Sequence, residues 1–532
     1  MNKQIDALLQ KAEEQKNELI ELAKTLISFQ TPAPPARNTD KIQSWIAGFL
    51  NEMGFSIDKW EVYPGDPNVV GVLKGTDSGS HQSLIINGHV DVAEVDEEGW
   101  EHDPFHPVEK NGCLIGRGAA DMKGGMASVL FALKLIREAG IDLPGDVILQ
   151  SVIGEEVGEA GTLECCKRGY RADFAVVADT SDLHIQGQGG VITGWIELKS
   201  RQTFHDGTRR NMIHAGGGTF GASAIEKMAK IIHGLGELER HWAIMKSYPG
   251  FKAGTNTINP AVIEGGRHAA FIADECRLWI TVHFYPNETH EEVAAEIEDH
   301  INRLSDSDVW LRENRPVFTW GGSSMIEDRG EIFPALEVDP HHPAVSELTA
   351  SHRHIKQTNP VIDVSQSVTD GGWLYNAGIP SVIYGPGDLH NAHAVNEEIS
   401  IDQLVDYTKI MLSFIIKWCS TAKNNEIYTC LTRFSHPVHI IRKRTDKGRD
   451  GMISISEFQV KDVVNVSNGK KLGSIGDIDI NVTTGKIQAI ILGGNGKVLG
   501  FFGKEEEMII PWRNIVKIGE DVILVRLSEP KD

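Results

Sequence analysis

Apolar residues recur at helical spacing between residues 2 and 29, at Ile5, Leu8, Leu9, Ala12, Leu19, Leu22 and Leu26, and predict an amphipathic packing helix. Three prolines in TPAPPARN break that pattern. DKIQSWIAGFLNEMG predicts a second helix that stops at Gly54. PNVVGVLKG and SLIINGHV read as strands; the apolar run Leu84-Ile85-Ile86 marks a buried one that ends at Gly88. A glycine-rich turn, GRGAADMKGG, leads into the apolar helix MASVLFALKLI. DVILQSVIG and DFAVVADTSD are further strands. Helices alternating with strands predict an α/β domain on a doubly wound sheet.

Residues 192–322 read as an insertion with its own order. ITGWIELKS is a strand, FGASAIEKMAKIIHGL a helix, TNTINPAVIEGG and CRLWITVHFYP strands, THEEVAAEIEDHINRL a helix and RPVFTW a last strand. That βαββαβ order is a split βαβ sandwich. The first domain, residues 1–191, resumes over 323–424 and closes on the apolar helix DQLVDYTKIMLSFIIKWC. Residues 425–451 form a basic, patternless linker in an otherwise acidic chain. From Met452 to Asp532, short strands alternate with turns of the SNGK and TTGK kind and predict a small all-β barrel. Lys447-Gly448-Arg449 can be encoded by AAAGGNAGG, the purine run of a bacterial ribosome-binding site, and Met452 follows closely. The junction therefore reads as two neighbouring reading frames joined by loss of a stop.

A length of 532 residues calls for two or three domains. The formal net charge of -22 argues against nucleic acid or an anionic membrane as partner. Six scattered cysteines, Cys165 and Cys166 adjacent, make no disulfide framework and no zinc spacing. The N-terminal stretch is charged throughout, unlike a signal peptide, and no apolar run reaches the roughly 18 residues of a membrane span. A cytoplasmic protein is expected.

The chemistry lies where strands give way to turns, the usual position of sites in open α/β sheets. His89 and Asp121 both fall there. An imidazole and a carboxylate suit zinc, and Asp91 is near enough in sequence to hold the second ring nitrogen of His89. Taken alone, such a pair is more often a surface or capping feature. Glu155 and Glu156 end the strand DVILQSVIG. Adjacent carboxylates at a buried strand end need a cation or a shared proton. One of them can bind metal while the other, as a free base, takes the proton from a metal-activated water. Asp179 ends the next strand, where a turn or capping role is the plain alternative.

GHVDV, then W-x-x-DPF-x-P, then GRGAADMKGGMAS resembles the M20 metallopeptidase and deacylase family, which includes acetylornithine deacetylase and succinyl-diaminopimelate desuccinylase. The likeness covers roughly residues 1–424. It implies two divalent metal ions, zinc before cobalt or manganese, bridged by Asp121. His89, Asp121 and Asp179 would hold one, and Asp121, Glu156 and His393 the other. Asp179 lacks the proline of the family's E-P-T, while His393 lies in a closing stretch similar to GPG then AH-x-x-NE. Glu155 matches the general base. HAGGGTFGASAIEK resembles the family's lid motif, which makes His214 the histidine that reaches a substrate oxygen, with His205 as rival; Asn256 matches an asparagine supporting the same oxyanion. The lid implies a homodimer. His102, His106 and His390 match no ligand position.

Where the family often carries an arginine that grips a carboxylate, the strand TVHFYP has His283, unless that histidine merely packs. This fits a substrate without an α-carboxylate. KSRQTFHDGTRRNMIHAGG and YGPGDLHNAHAVNE resemble the formylaminopyrimidine deformylase branch of thiamine salvage. The small-molecule substrate implied is an N-formyl amine. An N-acyl amino acid deacetylase is the alternative, and an idle scaffold recruited by the barrel a third reading. The C-terminal unit resembles PRC-barrel proteins of the sporulation-associated branch and carries no ligand cluster.

Overall fold

The computed structural model describes residues 2–96 and 98–423 and, further on, 462–465, 470–481, 486–492, 508–511, 514–518 and 522–525. The chain divides into two compact units, Met1–Ser435 and His436–Asp532. The linker expected over 425–451 and the expected barrel start at Met452 lie outside the described residues.

The first unit is built on an eight-stranded mixed sheet. Its order is Ile362–Ser365, Ile185–Gln188, Ser381–Ile383, Phe174–Val177, Leu84–His89, Val147–Val152, Asp66–Leu73, Ser56–Tyr63. The four strands from Ser381–Ile383 to Val147–Val152 run parallel, while Asp66–Leu73 and Ser56–Tyr63 are antiparallel additions at one edge. Leu84–His89 is buried along its whole length, as a strand covered on both faces must be. The helices Gly124–Glu138 and Ile401–Cys419 cover one face, where Leu84, Ile86, Leu130, Phe131, Ile410 and Phe414 share the largest core. The other face buries Ile85, Val152, Cys165, Val177 and Leu374.

The helix expected over residues 2–29 is two helices, Asn2–Glu14 and Lys16–Ser28. Gln15 leaves the helical region at ψ 19°. The break falls in EEQKNE, the stretch between Ala12 and Leu19 where no apolar residue ties the chain to the core.

The insertion has the expected βαββαβ order. Thr257–Gly265, Glu275–Phe284, Gly190–Lys199 and Val317–Trp320 form an antiparallel sheet in that spatial order. Alternate residues Ile192, Ile196 and Leu198, with Leu278, Ile280 and Val282, pack against Met228, Leu235, Ile297 and Ile301 of the helices Ala224–Met245 and His290–Asp306. Thr289 and Glu292 form a capping box on the second helix. His283 falls on the opposite, exposed side of this alternation, so it is not a packing residue.

In the second unit the described strands form a six-stranded sheet: Met508–Pro511, Lys486–Leu492, Lys471–Asn481, Asp462–Asn465, Val522–Val525, Ile515–Ile518. Val463, Ile490, Ile510, Ile523 and Val525 make its core.

Candidate metal centre

The four adjacent parallel strands end at one place. His89 is the last residue of its strand and pairs in register with Val152, after which Gly154 turns the chain into Glu155 and Glu156. Val177 leads to Asp179, and Ile383 opens the segment that returns with His393. Asp121 comes from the turn before helix Gly124–Glu138. Gly125 lets that helix close on the neighbouring strand: a Cβ there would lie 2.2 Å from the carbonyl oxygen of Ala178.

The side chains converge. His89 Nε2 lies 3.1 Å from Asp121 Oδ1, 3.9 Å from Glu155 Oε2 and 4.0 Å from Asp179 Oδ2. His393 Nε2 lies 2.9 Å from Glu156 Oε2 and 3.3 Å from Asp121 Oδ2. Asp121 thus stands between the two histidines. Ligand atoms of His89, Asp121 and Glu156 fall within 4.8 Å of one another, close enough to hold a cation. His89, Asp121 and Asp179 are buried, whereas the His393 side chain is 56% exposed and reaches in from the surface.

The electrostatics call for positive charge. Burial, and then the neighbouring carboxylates of Asp179 and Glu156, push Glu155 well above the usual carboxylate range. Burial and Asp121 raise Glu156 and Asp179 to about 7. Hydrogen bonds to Asp121 and Glu156 raise His393 to about 10. Glu156 Oε1 is buried without a hydrogen-bond partner. Four buried carboxylates around two imidazoles fit divalent cations with nitrogen and oxygen ligands, because only protons or cations relieve such crowding.

Asp91 does something other than the expected holding of His89. The Nδ1 of His89 is 3.0 Å from the backbone carbonyl oxygen of Asp91 and 3.7 Å from its carboxylate. The carboxylate instead accepts the N–H of Gly154 at 2.9 Å and of Glu156 at 3.0 Å. It organises the turn carrying both glutamates.

Two residues escaped the sequence reading although both lie in motifs it quoted. Glu397 accepts the N–H groups of Gly118, Ala120 and Asp121 at 3.1, 2.8 and 2.9 Å. Arg117 donates to Glu397 at 2.7 Å and to the backbone oxygen of His393 at 3.2 Å. Together they fix the Asp121 turn against the His393 segment.

His214 and Asn256 stay on the inserted unit. His214 is exposed in the turn Ile213–Ala215, and Asn256 is buried with its Nδ2 donating to Glu288 at 2.6 Å. His205 is also exposed, with Nδ1 accepting the N–H of Gly207. His102, His106 and His390 are exposed; His390 pairs with Asp388.

Residues 85–417 match the model of peptidase family M20/M25/M40. The chain belongs to that family. Residues 450–530 match the PRC-barrel domain. Over 424 residues, 80% of this chain and 100% of the relative, the M20 part is 84% identical to N-formyl-4-amino-5-aminomethyl-2-methylpyrimidine deformylase of Bacillus subtilis. The protein of the same name from Halalkalibacterium halodurans is 59% identical over 79% of this chain and 98% of its own length. A separate B. subtilis protein, the probable sporulation protein YlmC, is 98% identical over 79 residues, 15% of this chain and 98% of that protein. Among solved M20 structures, a metallo-carboxypeptidase from Sulfolobus solfataricus superposes with a TM-score of 0.58 at 17% identity, covering 76% of this chain and all of its own. A B. subtilis protein described as a dinuclear metal binding M20 peptidase gives 0.53 at 14% identity, covering 76% and 99%. Both likenesses concern the fold.

Proposed function

We propose that this chain is a metal-dependent amidohydrolase that removes the formyl group from N-formyl-4-amino-5-aminomethyl-2-methylpyrimidine, a step of thiamine salvage. The observation that carries this reading is the 84% identity along the whole length of the B. subtilis deformylase. His89, Asp121 and Asp179 would hold one divalent cation and Asp121, Glu156 and His393 the second. When bound, the pair supplies Lewis acidity, lowering the pKa of a coordinated water to about 7 and drawing charge from the amide carbonyl. Glu155 is the general base: it takes a proton from the attacking water and hands it to the amide nitrogen as the C–N bond breaks. Formate and a free aminomethyl group result. His214 and Asn256 steady the developing oxyanion.

The ligand types favour zinc, with cobalt or manganese as substitutes. The working form is a homodimer paired through the lid, residues 192–322. Residues 1–191 with 323–424 carry the centre, and 452–532 are a separate barrel. The net charge of -22 disfavours nucleic acid and anionic membranes as partners, and no helix among the described residues is long and apolar enough to cross a membrane. The five described cysteines are free, which fits a cytoplasmic protein.

The test is to load the purified chain with zinc and follow release of formate from the formylated aminopyrimidine, with N-acetylornithine beside it. Turnover of the first and little of the second is expected. Preference for the acyl amino acid would replace this reading with a deacetylase, and no turnover at full metal content would leave a scaffold.

A further inference from the structure

Between Pro32 and Thr39 the chain forms a loop that the family chemistry does not require. Ala36 and Arg37 both adopt left-handed backbone angles, φ 58° and 62°. Two such non-glycine residues in succession are costly, and strain of this kind points to a held feature. Asp66 holds it: its carboxylate accepts the N–H groups of Arg37, Asn38 and Thr39 at 2.6, 2.9 and 3.1 Å.

The loop aims the Arg37 guanidinium at Glu159. Nη1 donates to Oε2 at 2.7 Å and Nη2 to Oε1 at 2.6 Å, a two-point clamp that only arginine can make. Glu159 is buried and its own N–H donates to the Gly154 oxygen at 2.7 Å. It thereby closes the turn Gly154–Glu159, which contains Glu155 and Glu156. Gly154, at φ 80°, permits the closure; a Cβ there would lie 2.4 Å from Glu159 Cβ. Asp91 grips the same turn through the Gly154 and Glu156 N–H groups.

The same guanidinium reaches the segment by which the chain leaves the lid after strand Val317–Trp320. Nη2 donates to Glu327 at 3.1 Å, and the guanidinium lies 4.0 Å over the Tyr63 ring, whose hydroxyl donates to the Ser323 oxygen at 3.0 Å. The Met325 N–H donates to the Val157 oxygen at 2.9 Å, inside the glutamate turn.

We infer that Arg37 is a positioning residue that fixes the Glu155 turn and couples it to the exit segment of the lid. The inference rests on the reading of Glu155 as base. Lid placement and base placement are then linked, since the Arg37 fork bonds Glu159, which closes the turn of the base, and Glu327, on the segment that follows the lid. Displacing a reacting group by about 1 Å costs about 10²-fold in rate, so loosening the clamp acts on turnover more than on substrate binding.

The test compares Arg37→Lys, Glu327→Gln, Arg168→Met and Glu155→Gln in the zinc-loaded full chain. Arg168 is the matched control, stacked on Trp60 at 4.3 Å and paired with Asp58 at 3.1 Å, away from the glutamate turn. Arg37→Lys is expected to lower kcat about tenfold, with KM within about twofold and metal content unchanged. Glu327→Gln, a surface change that does not threaten folding, is expected to lower kcat in the same sense by about threefold. Arg168→Met is expected to leave kcat unchanged at an equal drop in melting temperature. Normal kcat in Arg37→Lys and Glu327→Gln, with Glu155→Gln inactive, overturns the inference alone. An equal kcat loss in Arg168→Met also overturns it, by making the effect general destabilisation. Full turnover in Glu155→Gln removes the base reading and the inference with it.

Discussion

Asp91 is joined to Glu156 through the backbone: its Oδ2 accepts the Glu156 N–H at 3.0 Å while Oδ1 accepts that of Gly154. One carboxylate therefore braces the turn that carries both glutamates. Asp91→Asn keeps one acceptor oxygen and puts a donor where the second N–H points. Metal affinity or kcat is expected to fall by about 10–100-fold, the usual cost of losing an outer support of a metal site. Metal titration and steady-state rates measure it; unchanged values would make the turn self-supporting.

Glu155 and Glu156 differ in their neighbours, and their variants are expected to differ in kind. Glu155→Gln retains both cations and loses turnover by about 10²–10⁴, since an amide accepts no proton from water. Glu156→Gln removes the group that faces His393 at 2.9 Å and loses affinity for one cation. Metal content by elemental analysis, read beside the rates, separates the two; similar metal loss in both would mean the roles are shared.

Cation binding and pH are linked through the same carboxylates. In the metal-free chain Glu156 and Asp179 are raised to about 7, by burial first and by Asp121 next. Unfolded, they titrate near about 4. Between about pH 4 and 7 the folded chain keeps protons that the unfolded chain has lost, so metal-free stability falls as pH rises through that window. His393, raised to about 10, extends the fall upward from about 6.5. Cations need the deprotonated ligands. The rise in melting temperature on adding zinc should therefore grow from about pH 5 to about pH 8. Scanning calorimetry with and without a chelator checks this, and a gain independent of pH would contradict it.

On the lid, His214→Ala is expected to lower kcat by about 10²–10³ with metal content intact, as loss of an oxyanion donor does. His214 is exposed within one chain, as a residue free to meet a substrate from the lid would be. If His205→Ala produces this loss and His214→Ala does not, His205 holds the role.

A chain ending near Asn425 is expected to remain soluble, dimeric and active, and residues 452–532 to fold alone. The B. subtilis deformylase and YlmC are matched over 100% and 98% of their lengths by successive parts of this chain, as two joined reading frames would be. Expression of both pieces, with rates, oligomer size and melting curves, tests it. An aggregated 1–425 fragment would make the barrel part of the enzyme.

The legible parts of this chain were those written in local pattern. Leu84-Ile85-Ile86 marks a strand, the order of apolar segments over 192–322 marks the βαββαβ lid, and GRGAADMKGG marks the turn that carries Asp121. What local pattern does not carry is which distant group satisfies a backbone. Glu397 was readable as part of a motif, but its acceptance of three N–H groups around Asp121 depends on how the last helix folds back. Arg37 looks like an ordinary loop residue after prolines, because its carboxylate partners Asp66, Glu159 and Glu327 lie 29, 122 and 290 positions further on. The break at Gln15 falls in a gap of the apolar period that the periodic runs on both sides conceal.

The Glu397 clamp also has a consequence in time. The Asp121 N–H finds its acceptor 276 residues later in the chain. At a synthesis rate of about 5–20 residues per second, a ribosome makes Asp121 roughly 15–55 s before Glu397. During that interval the turn has neither its anchor nor the His393 side of the centre. A nascent chain can present His89 and Asp121 to a cation, but the finished arrangement must wait for residues near the close of the M20 part. The candidate centre is thus completed only when this unit is nearly made, and on a ribosome stalled before Glu397 the Asp121 turn would lack its anchor.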